Sequence, residues 1–210
     1  SLEGRGRVIV WDLCSGLGGW SEAFVSPFGS NWEVEGITVF RFDNSDLVKD
    51  VPRTFVEDVT QWLDWVDDYP APDLILASPP CVEFSQGYSA PRPTAQRAGI
   101  EFFPDLTIAK AVRDIIMHVK PRWWAVENVK GSIEDLSPLY GRPRQIIGPY
   151  VLWGNFPLLP NLNITRGWKT KKDAWSTDPL RSRKRALVPI EISCAMLDAW
   201  YEQTDLTRWL

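Results

Sequence analysis

Histidine occurs once in the 210 residues, methionine twice and cysteine three times. The lone His118 and the widely separated Cys14, Cys81 and Cys194 leave no pair at metal-ligand spacing, which argues against a zinc site. An odd, scattered cysteine count argues equally against a disulfide framework, and a reducing, intracellular compartment fits this usage best. A histidine-based dyad or triad would have to use His118. That residue falls in the helical pattern Ala109–Val119 and reads more simply as a partly exposed residue near a helix end. No apolar run approaches the ~20 residues of a membrane span and no leader pattern opens the chain, so neither a membrane nor a secretory destination is expected. Positive charge is not in excess either. Lys and Arg number 23 against 27 Asp and Glu, a net charge of −4 that taken alone argues against a dedicated nucleic-acid binder.

What is present suits a packed α/β domain over residues 1–210: hydrophobic residues make up 44%, and twelve tryptophans are available for core packing. The charge is unevenly placed. Acidic residues crowd Asp50–Asp73, whereas Arg166, Lys169, Lys171, Lys172, Arg181, Arg183, Lys184 and Arg185 crowd the stretch interrupted by Trp168 and Trp175. Basic residues interleaved with aromatics suit a polyanion with stackable bases, and a solvated loop would read the same way.

Strand and helix patterns alternate. Strands are expected over Val8–Leu13, Glu33–Phe42 (ending at Asp43), Thr54–Val56 (ending near Asp58), Asp73–Ala77 and Arg122–Val126 (running to Glu127 and Asn128). Helices are expected over Trp20–Phe28, Gln61–Val66, Asp105–Val119 and Pro189–Tyr201, with a long loop over Gln86–Pro104. A hairpin over Gln145–Trp153 is broken by Gly148-Pro149, and Asn155–Val188 is irregular and basic. The alternation implies a mostly parallel, doubly wound sheet.

Five groups of residues stand where chemistry could occur. Asp12-Leu13-Cys14-Ser15-Gly16-Leu17-Gly18-Gly19 is a glycine cluster between a strand and a helix, where the backbone can approach a ligand closely. A phosphate loop is disfavoured because no Gly-Lys-Ser/Thr follows. Asp43 ends the second strand, where a carboxylate suits two ribose hydroxyls. Asp58 stands near the end of the third, where one can accept from an adenine amino group. Each taken singly also reads as a helix cap or turn residue. Ser78-Pro79-Pro80-Cys81 follows the fourth strand: the prolines fix the backbone, so the thiol projects from the carboxyl edge of the sheet, where open α/β sheets bind ligands. Glu127-Asn128-Val129 ends the neighbouring strand and places a carboxyl group beside that thiol; a salt bridge or cap is the alternative for Glu127. Arg142-Pro143-Arg144 points two guanidiniums roughly the same way, towards a phosphate, a carbonyl oxygen or solvent.

In this order the set resembles the cytosine-5 DNA methyltransferases. Asp12–Gly19 looks like that family's cofactor-binding glycine motif, and Pro79-Pro80-Cys81 with Phe84-Ser85 resembles its Pro-Cys motif. Glu127-Asn128-Val129 is similar to its Glu-Asn-Val motif and Arg142-Pro143-Arg144 to its paired arginines, while Arg185–Ser193 resembles the lead into its last helix. The resemblance implies a Rossmann-like S-adenosylmethionine-dependent methyltransferase fold and methyl transfer from S-adenosylmethionine to carbon 5 of cytosine in DNA.

It further implies roles. Cys81 would add to the base, Glu127 would hold ring nitrogen 3 and the exocyclic amine, and Arg142 and Arg144 would support the base carbonyl and the loop. Asp12, Cys14, Ser15, Gly16, Gly18, Gly19, Asp43, Asp58 and Pro79 would contact the cofactor. Pro80, Ser85, Asn128, Lys169, Lys171 and Lys172 would face the nucleic acid, with the target base flipped into the pocket. No metal is implied, and a cytoplasmic setting of prokaryotic, viral or mobile-element kind follows. The family usually inserts a large target-recognition region where only Gln145–Lys184 stands here. That leaves open the same thiol chemistry on RNA, single strands or a free nucleotide, or an inactive nucleic-acid-binding relative.

Overall fold

The computed structural model describes residues 7–25, 36–164 and 177–206, the last three of these for backbone only. Seven strands form one sheet: β1 (Val8–Leu13), β2 (Ile37–Asp43), β3 (Thr54–Val56), β4 (Leu74–Ala77), β5 (Trp123–Val129), β6 (Gln145–Ile147) and β7 (Tyr150–Gly154), in the order β3-β2-β1-β4-β5-β7-β6. The first five run parallel to one another, and β7 runs antiparallel to both β5 and β6. The expected mostly parallel, doubly wound sheet is therefore what the chain forms.

The strands are apolar on both faces because both faces are covered. Alternate residues go to opposite cores. Val10, Val39, Leu74, Leu76 and Leu152 pack with Trp20, Phe24, Ile192 and Met196 on one side. Trp11, Leu13, Ile75, Ala77 and Trp153 pack with Val112 and Ile115 on the other. Each of the buried Val, Leu, Ile and Met side chains among these contributes about 1.5–3 kcal/mol of transfer free energy.

Six helices flank the sheet among the described residues: α1 (Glu22–Val25), α2 (Pro91–Arg97), α3 (Thr107–Val119), α4 (Ile133–Tyr140), α5 (Arg181–Ala186) and α6 (Ile190–Leu206). The topology positions the site. From β1 the chain goes to β2 on one side and, later, to β4 on the other, so the strand order reverses between β1 and β4. Crevices at such points bind ligands at the carboxyl edge. The registers Leu13↔Phe42, Leu13↔Ala77 and Ala77↔Val126 bring the ends of β2, β1, β4 and β5 side by side there.

Several expectations change. The loop Gln86–Pro104 contains α2, whose prolines sit at the first turn where backbone N–H groups have no partner in the helix to lose. The basic stretch Asn155–Val188 contains α5, and α4 had no expectation at all, since Pro138 lies inside it. Gln61–Val66 winds as two tight 3₁₀ segments, Val59–Asp64 and Val66–Asp68, rather than an α-helix. The strand through Arg122–Val126 continues to Val129, so Glu127 and Asn128 are strand residues. The expected starts of the second strand and of the Trp20–Phe28 helix's second half fall in 26–35, outside the described residues. Among the described residues no helix is long and apolar enough to cross a membrane.

Candidate active site

The glycine turn after β1 is held by a buried polar network. Arg41, on β2 and 2% exposed, donates from Nε to Ser21 Oγ at 2.9 Å and from Nη2 to the Gly18 carbonyl and to Glu22 Oε2, both at 3.0 Å. Ser21 Oγ donates onward to Asp12 Oδ2 at 2.6 Å. Gly18 adopts φ +80°, and a Cβ there would lie 2.3 Å from Arg41 Cζ, so the turn and the guanidinium interlock only with glycine. Asp12 lies beneath the turn, fully buried. Burial raises its carboxyl to about 6, with the Ser21 hydrogen bond and Arg41 pulling the other way. From above, Asp43 Oδ2 accepts from Gly16 N at 3.0 Å. Trp20 Nε1 donates to the Ala77 carbonyl at 3.2 Å, tying the turn to the end of β4.

The cysteine turn is fastened to β5. Ser78 Oγ donates to Glu127 Oε2 at 3.1 Å, and Asn128 Nδ2 donates to the Pro79 carbonyl at 3.0 Å. Cys81 then opens a tight turn, Val82–Phe84, whose first bond runs from Phe84 N to the Cys81 carbonyl at 3.1 Å. Phe84 is driven into the core. Its carbonyl lies 2.2 Å from where a Cβ at Gly131 would stand, so the residue after Val129-Lys130 must be glycine for the cysteine turn to sit against β5.

Both turns open on one cavity of about 830 Å³, within the ~300–1,000 Å³ usual for small-molecule and cofactor sites. Of the anticipated residues, Cys14, Ser15, Gly16, Gly19, Asp43, Asp58, Pro80, Cys81 and Ser85 line it. Asp12, Gly18, Pro79, Glu127 and Asn128 do not reach its surface; they stand behind the wall and shape it. Glu127, almost fully buried, is one hydrogen bond from the cavity, through Ser78. Arg142 and Arg144 are not brought to the cavity: both are exposed, and Arg144 Nε donates to the Phe156 carbonyl at 3.0 Å. Lys169, Lys171 and Lys172 lie outside the described residues.

Electrostatics differ along the wall. Cys14 has φ 55°, a left-handed conformation for a non-glycine residue. Burial first, then the carboxylates of Asp43, Asp12 and Asp58, pushes its thiol far up, so it is a neutral lining group. Asp58 caps the Val59–Asp64 turn. The Thr60 backbone N–H first, and its hydroxyl next, hold its carboxyl below the usual range. The hydroxyl of Ser15 is buried without a hydrogen-bond partner, beside Gly16 in the wall. Such an orphan, next to backbone that approaches the cavity without side chains, fits a polar ligand such as S-adenosylmethionine.

Arg41, Ser21 and Gly131 were not anticipated. Arg41 carries no local sequence signal, because a charged residue inside an apolar strand run looks like an error until its partners are known. Gly131, two residues beyond the Glu-Asn-Val triplet, was the one of the three that spacing could have flagged.

The profile of the C-5 cytosine-specific DNA methylase family matches residues 8–135, more than half of the chain. The chain belongs to that family. The matched segment contains the glycine turn, Cys81 and Glu127. No curated protein matches this sequence. Similar solved structures include a DNA modification methyltransferase encoded within a prophage (E. coli), with 18% identity over 70% of this chain and 46% of that one, TM-score 0.43. Another is the Entamoeba histolytica methyltransferase EhMeth, with 15% identity over 75% and 56% respectively, TM-score 0.47. A Spodoptera frugiperda DNMT2 variant shows 19% identity over 61% and 39%, TM-score 0.38. The chain thus spans about half the length of the solved structures it resembles.

Proposed function

We propose that this chain transfers a methyl group from S-adenosylmethionine to carbon 5 of cytosine in DNA, through a covalent bond from Cys81 to carbon 6. One observation carries the reading: Cys81 and the glycine turn line the same cavity, with Glu127 one hydrogen bond behind its wall. Ser15, Gly16, Gly19, Asp43 and Asp58 would hold S-adenosylmethionine, which supplies an activated sulfonium methyl group.

The chain's residues answer a specific chemical difficulty. Carbon 5 of cytosine is a poor nucleophile. Addition of the Cys81 sulfur at carbon 6 pushes an electron pair towards carbon 5. With the Ser78 hydroxyl turned away from Oε2, Glu127 would reach ring nitrogen 3 and the exocyclic amine and supply the proton that neutralises the adduct. Ser78 and Asn128 fix the distance between that carboxyl and the sulfur by pinning the cysteine turn to β5. Carbon 5 would then bond to the donated methyl as its bond to the sulfonium breaks, and loss of the carbon 5 proton, return of the nitrogen 3 proton to Glu127 and expulsion of the thiolate would restore the ring. A duplex must release its base into the cavity, as other enzymes acting on bases require.

The test is methyl transfer from a labelled donor to duplex DNA, single-stranded DNA, RNA and a free cytosine nucleotide, read as 5-methylcytosine. DNA is expected to be labelled. Cys81→Ser is expected to abolish transfer, and Glu127→Gln to slow it by about 10²-fold or more. Label confined to RNA or nucleotide would move the substrate; label in none would contradict the reading.

A further inference from the structure

Residues Asp178–Val188, with α5 at their centre, form a strap along the cavity's edge, and Ser182–Val188 contribute to its lining. One end is held in shape by contacts within the strap, and the other is seated on the glycine turn. Asp178 accepts from Leu180 N at 2.9 Å and pairs with Lys184 at 2.7 Å, while Leu187 and Val188 lie directly against Gly19. Between these ends, Arg183 reaches across the cavity and donates from Nη1 to Asp43 Oδ2 at 3.1 Å.

The occupancy of Asp43 is the point of interest. Its Oδ1 accepts from Ser45 N at 3.0 Å, and its Oδ2 accepts from both Gly16 N and Arg183. A carboxylate offers roughly four acceptor directions, two per oxygen. Three are taken, and Oδ2 is full. Asp43 also ends β2, where a carboxylate in an open α/β sheet receives the two ribose hydroxyls of a nucleoside cofactor. One direction on Oδ1 remains for the first hydroxyl; the second must take the place of Arg183. The Gly16 bond cannot yield instead without undoing the glycine turn.

We propose that Arg183 is a latch that competes with the ribose diol of the methyl donor for Asp43, so that cofactor entry requires the guanidinium to leave. Asp43 is 8% exposed and Arg183 25%, so the pair is desolvated enough to matter and open enough to be displaced. The inference rests on the methyl-donor reading above.

Calorimetric titration of S-adenosylhomocysteine and of its 2′,3′-dideoxy counterpart into wild type, Arg183→Gln and Arg183→Lys tests it. Arg183→Gln is expected to bind S-adenosylhomocysteine about tenfold more tightly than wild type, with Arg183→Lys between the two, and to bind the dideoxy ligand no better than wild type does. Unchanged or weaker binding of S-adenosylhomocysteine by Arg183→Gln would overturn the latch and leave the methyltransferase reading standing. So would an equal gain for both ligands, which would mean that Arg183 merely fills space. Binding of neither ligand by any of the three proteins would contradict the methyl-donor reading itself.

Discussion

Asp12 combines two demands on one side chain. It must accept from Ser21 to hold the glycine turn, yet it is fully buried, and burial lifts its carboxyl to about 6. Between the ordinary aspartate value near 3.8 and about 6, the native state therefore keeps a proton that the unfolded chain has released. The native fold is favoured by this group below that ordinary value, and the advantage is lost as pH rises through about 6. Asp12→Asn keeps the shape without the titration. In urea unfolding from pH 4 to 7, the stability of Asp12→Asn relative to wild type should rise by about 2 kcal/mol; parallel curves would contradict the burial argument. Cys81 and Glu127 were legible in the sequence because their residue types are unusual at strand ends. Arg41 was not, because what makes it tolerable in β2 is a set of acceptors contributed by Gly18, Ser21, Glu22 and Pro52, all distant along the chain.

Among the elements, α6 reaches the glycine-turn end of the cavity indirectly. Ser193, fully buried on it, accepts from Ala23 N at 3.0 Å and donates to the Trp20 carbonyl at 2.8 Å. It thus satisfies a first-turn N–H of α1 that has no partner within its own helix. Ser193→Ala leaves a buried donor and a buried acceptor unpaired. The expected cost is about 2 kcal/mol in urea unfolding, with several-fold weaker binding of S-adenosylhomocysteine because Trp20 borders the glycine turn. An unchanged midpoint would show that the contact is dispensable. The parallel strands were legible as apolar runs, and α3 and α6 as periodic faces. Helix α2 was masked by Pro91 and Pro93, and α4 by Pro138. The latter helix is held by packing, with Leu136 in the core and Tyr140 Oη donating to the Ala109 carbonyl at 2.6 Å. Such tertiary contacts override propensity, and no local window records them. Only the last five residues of the closing helix, beyond Tyr201, escaped the apolar pattern that announced it.

At the scale of the whole molecule, the reversal of strand order between β1 and β4 decides where everything meets. It opens one crevice and directs two independent motifs, 62 residues apart from Gly19 to Cys81, into it. The mostly parallel, doubly wound sheet followed from the alternation of strands and helices, whereas the order of its seven strands did not. The strap across that cavity did not, because its basic composition reads as a solvated loop until Asp43 is seen to receive Arg183. The account as a whole requires that the Cys81 sulfur be the atom that bonds to the base. Incubation with a methyl donor and DNA containing 5-fluorocytosine, in which fluorine blocks the final elimination, measures this directly by mass spectrometry of the digested complex. The account predicts a methylated fluorocytosine attached to the peptide carrying Cys81 and no adduct with Cys81→Ser; attachment at Cys14 or Cys194, or trapping that survives in Cys81→Ser, would contradict it.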